Sequence, residues 1–213
     1  MDAREDTPTA APAPTRRRGP YRKTEARRKE IVAAALEVFS TSGYRAGSLR
    51  EIGGLIGFEP SSILHHFPSK EALLEAVLEY KEDSDLQARD GRTDFAPAEI
   101  PALLLRLAEL NEQVPGAISL YAIMSAESAT PDHPSGEYFR VRTERTRRDF
   151  RTMFQSLADA GLLAPGVDAE YAAISTFAIW DGIQVHWLIE PDAVSVTDTL
   201  RAHLRMITRV TDI

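Results

Sequence analysis

Between Thr24 and Phe67 the chain is cut into three short helical segments, and no other stretch limits the fold so tightly. From Thr24 to Ser42 the apolar residues Ile31, Ala34, Ala35, Val38 and Phe39 recur at helical spacing, and Gly43 supplies a left-handed stop. Ser48-Leu49-Arg50-Glu51 then reads as a capping box, in which Ser48 and Glu51 satisfy each other's free backbone donors. Leu49, Ile52 and Ile56 share one face of this second segment, and Gly57 ends it. Pro60 suits the first turn of a third segment, where its missing N–H is no loss, and Ile63 and Phe67 give that segment an inner side. Three short helices with a turn between the second and third are what a helix-turn-helix reader requires. The third enters the major groove and the second crosses the backbone.

The rest of the chain continues in helices. Lys70 to about Asp85 carries Leu73, Leu74, Val77 and Leu78 and is the expected connector. Asp90-Gly91 and Pro97 mark a loop, after which Pro and Gly divide further predicted helices: Ala98–Gln113, Gly116–Ala129, Ser135–Ala160, Asp168–Ile189 and Ser195–Val210. Strand signals are nearly absent. The expected fold is therefore all-α, with an N-terminal three-helix helix-turn-helix DNA-binding domain joined to a larger helical ligand-binding and dimerisation domain. Residues 1–20, rich in Pro, Ala and Thr, read as a disordered tail that turns basic near its end. Residues 21–85 form the DNA-binding head with its connecting helix, and residues 86–213 the regulatory body.

Order and spacing from Ile31 to Leu74 go beyond the generic shape. The first helix ending in Phe39 and Gly43, then Ser48-Leu49-Arg50-Glu51-Ile52, Gly57, Ile63-Leu64-His65-His66-Phe67 and Ser69-Lys70-Glu71-Ala72-Leu73 resemble the DNA-binding head of the TetR family. The resemblance implies that Ser48 faces a phosphate at the start of the second helix. It implies that Pro60, Ser61 and Ser62 sit at the front of the recognition helix, touching base edges and phosphates. Leu64 falls where many members carry an aromatic residue on the DNA. His65 and His66 fall where the family places aromatic or imidazole groups, His66 being the expected phosphate donor, and Lys70 matches a lysine that makes a further backbone contact. Two residues depart from the pattern. Glu59 holds the cap position before Pro60, where its charge suits the helix dipole but repels phosphate. Gly54 stands inside the second helix beside Gly53, and only Gly53 matches a small residue of the family.

Charge supports this reading only when it is located. The net charge of −7 argues against a nucleic-acid partner, yet Arg16, Arg17, Arg18, Arg22, Lys23, Arg27, Arg28 and Lys29 are gathered in one stretch interrupted by Glu25 alone. The molecule has one basic end, as a phosphate backbone demands. Arg17, Arg18, Arg22 and Lys23 are expected on the DNA as an arm. The adjacent pair His65-His66 is poor metal spacing, so neither a metal nor another cofactor is expected. Cysteine is absent, which removes thiol nucleophiles and thiolate zinc sites. No apolar run approaches the roughly 18 residues of a membrane span, and the first 20 residues lack the apolar core of a secretory signal, so a cytoplasmic location is expected.

In the body, the stretch from Asp168 to Ile189 is apolar around most of its circumference and is expected to lie between a ligand cavity and a partner subunit. Asp181-Gly182-Ile183-Gln184 and Pro131-Asp132-His133-Pro134 resemble stretches common in actinobacterial members of the family. Gly182 would let helices approach closely. Tyr121, Met124, Phe177, Trp180 and Gln184 are the candidate ligand contacts, and Asp181 with Arg142 or Arg145 a candidate interface pair. Leu200, Leu204 and Ile207, on one face of the last helix, are expected at the two-fold interface of a homodimer. The function this implies is a ligand-responsive transcriptional regulator, by family default a repressor, that binds a palindromic double-stranded DNA operator and is released by a small-molecule effector. The alternative is a ligand-sensing or interaction protein whose head no longer binds DNA. An enzyme is not expected, because no nucleophile–base pair, metal set or phosphate loop is present.

Overall fold

The computed structural model describes residues 19–87, 92 and 94–213. Over these the chain forms α1 (Gly19–Ser42), α2 (Leu49–Ile56), α3 (Pro60–His66), α4 (Lys70–Gln87), a single 3-10 turn (Pro97–Glu99), α5 (Ile100–Glu112), α6 (Pro115–Ser128), α7 (Gly136–Asp159), α8 (Ala169–Ile189) and α9 (Val196–Ile207). The only extended pairing among the described residues is an isolated antiparallel bridge between Leu163 and Thr208. Most of the expected tail, Arg16, Arg17 and Arg18 within it, and the Asp90-Gly91 turn lie outside the described residues. The first helix is already formed at Gly19, ahead of Thr24, because the basic residues before Ile31 carry no apolar period to announce it.

Side chains set most of the other boundaries. The hydroxyls of Ser48 and Ser195 and the carboxylate of Asp168 accept the N–H of Glu51, Asp198 and Tyr171 and so cap α2, α9 and α8. The capping box on α2 is only half made. Glu51 accepts from the Ser42 hydroxyl at 3.0 Å instead of from the Ser48 N–H, and thereby ties α2 to the end of α1. Gly43 and Gly57 take φ of +79° and +69°, as left-handed stops should. The last helix ends at Ile207, earlier than expected, since Thr208 leaves it to pair with Leu163.

Two hydrophobic cores organise the chain. The first holds Ile31, Ala35, Val38 and Phe39 of α1 against Ile52, Ile63, Phe67, Leu73 and Leu74, and extends into the body through Leu120, Met124 and Phe139. At this seam α6 lies on α1 so closely that a Cβ on Gly116 would come within 2.6 Å of the Ser40 Cβ. The second core joins α5, α7, α8 and α9. Leu200, Leu204 and Ile207 belong to it, fully or almost fully buried within the chain, so they are not the dimer face expected of them. Their side of α9 is covered by α5 and α8 of the same chain. The Glu112 carboxylate fastens α5 to α9, accepting the Val196 N–H at 2.7 Å and the Thr197 hydroxyl at 2.9 Å.

Candidate nucleic-acid interface and interior cavity

On the head, α3 turns Ile63 inward without exposed surface and leaves Ser61, Ser62, Leu64 and His65 exposed, with Pro60 at its first turn and His66 half-buried. The helix is only seven residues long, so it depends on what holds it. Arg28 of α1 supplies part of that hold: its guanidinium donates to the His66 carbonyl and lies 4.1 Å over the Phe67 ring. Arg27 lies 4.9 Å over the ring of Phe58 in the α2–α3 turn. Two residues read as basic-run charge thus also brace the reader, a role that sequence spacing does not reveal. Gly53 has a reason as well, because a Cβ there would strike the Phe58 carbonyl at 2.1 Å, whereas around Gly54 there is open space and nothing in the structure explains it.

Arg27, Gly57, Phe58, Glu59, Ser61, Ser62, His65 and His66 together line a shallow groove on this face. Glu59 is the N-cap residue of α3 but its carboxylate makes no cap hydrogen bond. Ser48 is exposed at the start of α2, its oxygen already accepting one N–H. Lys70 is less free than the family pattern suggests. Its ammonium donates to the Arg45 carbonyl at 3.3 Å and sits 4.5 Å over the Tyr44 ring, and partial burial lowers its pKa below the usual lysine range. The neighbouring Tyr44 phenol, half-buried and facing Glu71, is pushed up to about 12 and stays neutral. Arg22 and Lys23 fall on the first turns of α1. Among the described residues no group of His, Asp and Glu could hold a metal ion.

In the body, α1, α4, α5, α6, α7 and α8 enclose a cavity of about 390 Å³, in the range of pockets that take small organic molecules. Tyr121, Phe177, Trp180 and Gln184 line it as the sequence suggests. Met124 does not. It is one turn beyond Tyr121, completely buried against the head in the first core. Asp181 and Arg142 do meet, but on the cavity wall of one chain and not across an interface. Phe150, Asn111 and Arg145 also line the cavity, unforeseen in the sequence, and so do Leu36 of α1 and Val77 and Leu78 of α4. The aromatic wall is continuous: the Phe150 ring lies 5.6 Å from Phe177 and 6.4 Å from Trp180, edge-on to the latter. The Arg142 guanidinium donates to the Tyr121 hydroxyl and stacks 4.2 Å over its ring.

The outer side of α8 is apolar and open. Tyr171, Ile174, Val185 and Ile189 are exposed in steps of helical period, with Ala178 and Gly182 between them, and among the described residues nothing outside the α8 backbone itself lies within 4 Å of where a Gly182 Cβ would be. Behind it, His203 of α9 is buried with its Nε2 2.9 Å from the Thr176 hydroxyl, which itself donates to the Ala172 carbonyl. With its single proton so used, the hydroxyl accepts from Nε2–H, and burial lowers the His203 pKa. No described helix is long and apolar enough to cross a membrane.

Comparison with known proteins matches two family profiles along the chain. Residues 31–77 match a family profile described as bacterial regulatory proteins, tetR family, and residues 100–211 one described as BetI-type transcriptional repressor, C-terminal. The HTH-type transcriptional regulator RutR of Escherichia coli strain K12 is 30% identical over 185 residues, covering 84% of this chain and 83% of RutR. Among solved structures, SmeT, the repressor of the Stenotrophomonas maltophilia multidrug efflux pump SmeDEF, superimposes with a TM-score of 0.70 at 20% identity, over 87% of this chain and 92% of SmeT. A transcriptional regulator from Saccharomonospora viridis in complex with choline superimposes with a TM-score of 0.71 at 20% identity, over 87% of this chain and 99% of that one.

Proposed function

The chain belongs to the TetR family of bacterial transcriptional regulators, DNA-binding proteins and not enzymes, and on that premise we propose that it is a cytoplasmic repressor which grips a palindromic operator as a two-fold dimer and lets go when a small molecule fills its cavity. The observation that carries this reading is a shared wall: Leu36, Val77 and Leu78 line the cavity while Val77 and Leu78 also stand in the core that holds the recognition helix. A molecule entering the cavity touches α1 and α4 directly. If it fits better when those helices are displaced, it favours a head spacing that no longer meets both half-sites, which is all that release requires.

Two heads must be joined for this to work, and the open stripe on α8 supplies the joint. Tyr171, Ile174, Ala178, Gly182, Val185 and Ile189 form an exposed apolar face of the kind an isologous contact buries, and Met206 of α9 is also 70% exposed. Sedimentation of the full chain should show a stable dimer at micromolar concentration. A monomer there would remove the half-site argument.

On the DNA side, Ser61 and Ser62 are the proposed base contacts, with Ser48, Pro60, Leu64, His65, His66, Lys70 and the arm residues Arg17, Arg18, Arg22 and Lys23 positioning the head. Mobility shifts with the chain's own upstream region, or selection from random DNA, should yield a palindromic site. Ser62→Ala should then cost about 1–3 kcal/mol of operator affinity while the thermal melt stays that of the parent. Full affinity and unchanged sequence preference in a Ser61→Ala, Ser62→Ala double variant would show that α3 enters the groove in another orientation.

A further inference from the structure

The cavity's lining is selective about what it can accept, an inference that rests on the cavity being the effector site. Along α8, Phe177, Trp180, Asp181 and Gln184 follow one another at helical spacing and all face the cavity. Gln184 is only 3% exposed, and among the described residues neither its amide nor the Asp181 carboxylate makes a hydrogen bond. Two polar groups side by side on the cavity wall, with no hydrogen-bond partner among the described residues, are available to an occupant.

The neighbouring charges do not complete them. Arg142 is close enough to pull the Asp181 pKa down, yet its guanidinium is engaged by the Tyr121 hydroxyl and ring. Burial outweighs it and pushes the Asp181 carboxyl up to about 6. Arg145 and Asp149 of α7 are both exposed, at the solvent end of the cavity. The described lining from α1, α4 and α5 carries no charge: Leu36, Val77, Leu78, Leu104, Leu107 and Asn111. At Asp181 the unmet need is therefore for hydrogen-bond donors, since an ionised carboxylate accepts only, and the Gln184 carbonyl can accept from the same donor group.

We propose that the effector is an organic amine with an apolar body, its protonated nitrogen donating to the Asp181 carboxylate and the Gln184 carbonyl and its body lying against Phe150, Phe177 and Trp180. Aromatic faces flanking the nitrogen add attraction for a cation. An anion would have to displace Arg142 from Tyr121 and lie beside Asp181. A neutral molecule of the same shape fits the wall but leaves the carboxylate with a weaker donor.

Three probes with one body separate these cases: 4-phenylbutylamine, 4-phenylbutanol and 4-phenylbutyrate, titrated into the full chain and followed by calorimetry and by tryptophan fluorescence, since Trp180 lines the cavity. The amine should bind about tenfold or more tighter than the alcohol, with the butyrate weakest. In Asp181→Asn, checked to be folded by its melt, the amine should fall to about the level of the alcohol, and the alcohol should lose much less than the amine does. Preference for the butyrate, equal binding of amine and alcohol, or an amine affinity that survives Asp181→Asn overturns the amine assignment and leaves the cavity as an effector site. Failure of all three probes at millimolar concentration overturns that reading of the cavity along with it.

Discussion

In the head, helices of seven and eight residues are fixed by side chains such as Ile31, Ile52, Ile63, Leu73 and Leu74, none with any exposed surface. In the body, helices of 24 and 21 residues enclose a cavity and keep Asp181 and Gln184 turned into it. Helices as short as α2 and α3 are unstable alone, so every feature of the reader's surface is borrowed from the packing beneath it. The body's long helices, α7 and α8 above all, pack extensively on one another and can spare a void. One region obtains precision by leaving no room, and the other obtains responsiveness by leaving some.

The largest effect that tests this contrast is in the head. Ile63→Ala, which removes a completely buried side chain beneath α3, should destabilise the protein by about 2–5 kcal/mol in chemical or thermal unfolding. A loss below about 1 kcal/mol would mean that the head can relax around a hole, and the contrast would fail on its first half.

The second effect has the opposite sign and lies in the body. The Asp181 carboxyl is raised from 3.8 to about 6 in the folded chain. Below both values it is protonated in either state and stability is unaffected. As pH climbs from about 4 to about 6 the unfolded chain releases its proton first, so stability falls, and above 6 the full penalty stands. Asp181→Asn should therefore melt higher than the parent at pH 7.5, by on the order of 2–3 kcal/mol, with the gap narrowing toward pH 4.5. A gap that is absent, or independent of pH, would show the cavity to be as well satisfied as the head's core.

The smallest effect sharpens where the boundary between the regions runs. Arg45 and Glu127 form an ion pair across the seam at 3.0 Å, but the arginine is 83% exposed. Arg45→Gln should change the melt by less than about 1 kcal/mol. A larger change would move the attachment of head to body from the apolar packing of α1 on α6 to surface charge.

Local features of the fold are the ones most legible in the sequence. The left-handed stops at Gly43 and Gly57 and the cap at Ser48 stand where the residues announce them, because each is a local requirement of the backbone. Helical period likewise marks the inner faces of α1 to α4. It cannot say what covers a face. Leu200, Leu204 and Ile207 form an apolar stripe that their own chain buries, while the stripe at Tyr171, Ile174 and Val185 is left open, and the two look alike in sequence. Met124 shows the same limit at finer grain: a one-turn rise along α6 carries it from the cavity's level to the head's core. Leu36, Val77 and Leu78 escape notice as cavity residues because their spacing marks them only as core. Arg28 escapes because its contacts, the His66 carbonyl and the Phe67 ring, are about forty positions away along the chain.

The wall that α1 and α4 lend to the cavity bears on how such a protein can change over generations. Leu36, Val77 and Leu78 serve two masters, the fit of the effector and the hold on the reader, so a substitution there that suits a new effector is also a substitution in the DNA-binding apparatus. Met153, Phe177 and Trp180, on α7 and α8, carry no such double duty toward the head. Lineages that acquire new effectors while keeping their operators should accordingly record the change on α7 and α8, with α1 and α4 left almost untouched.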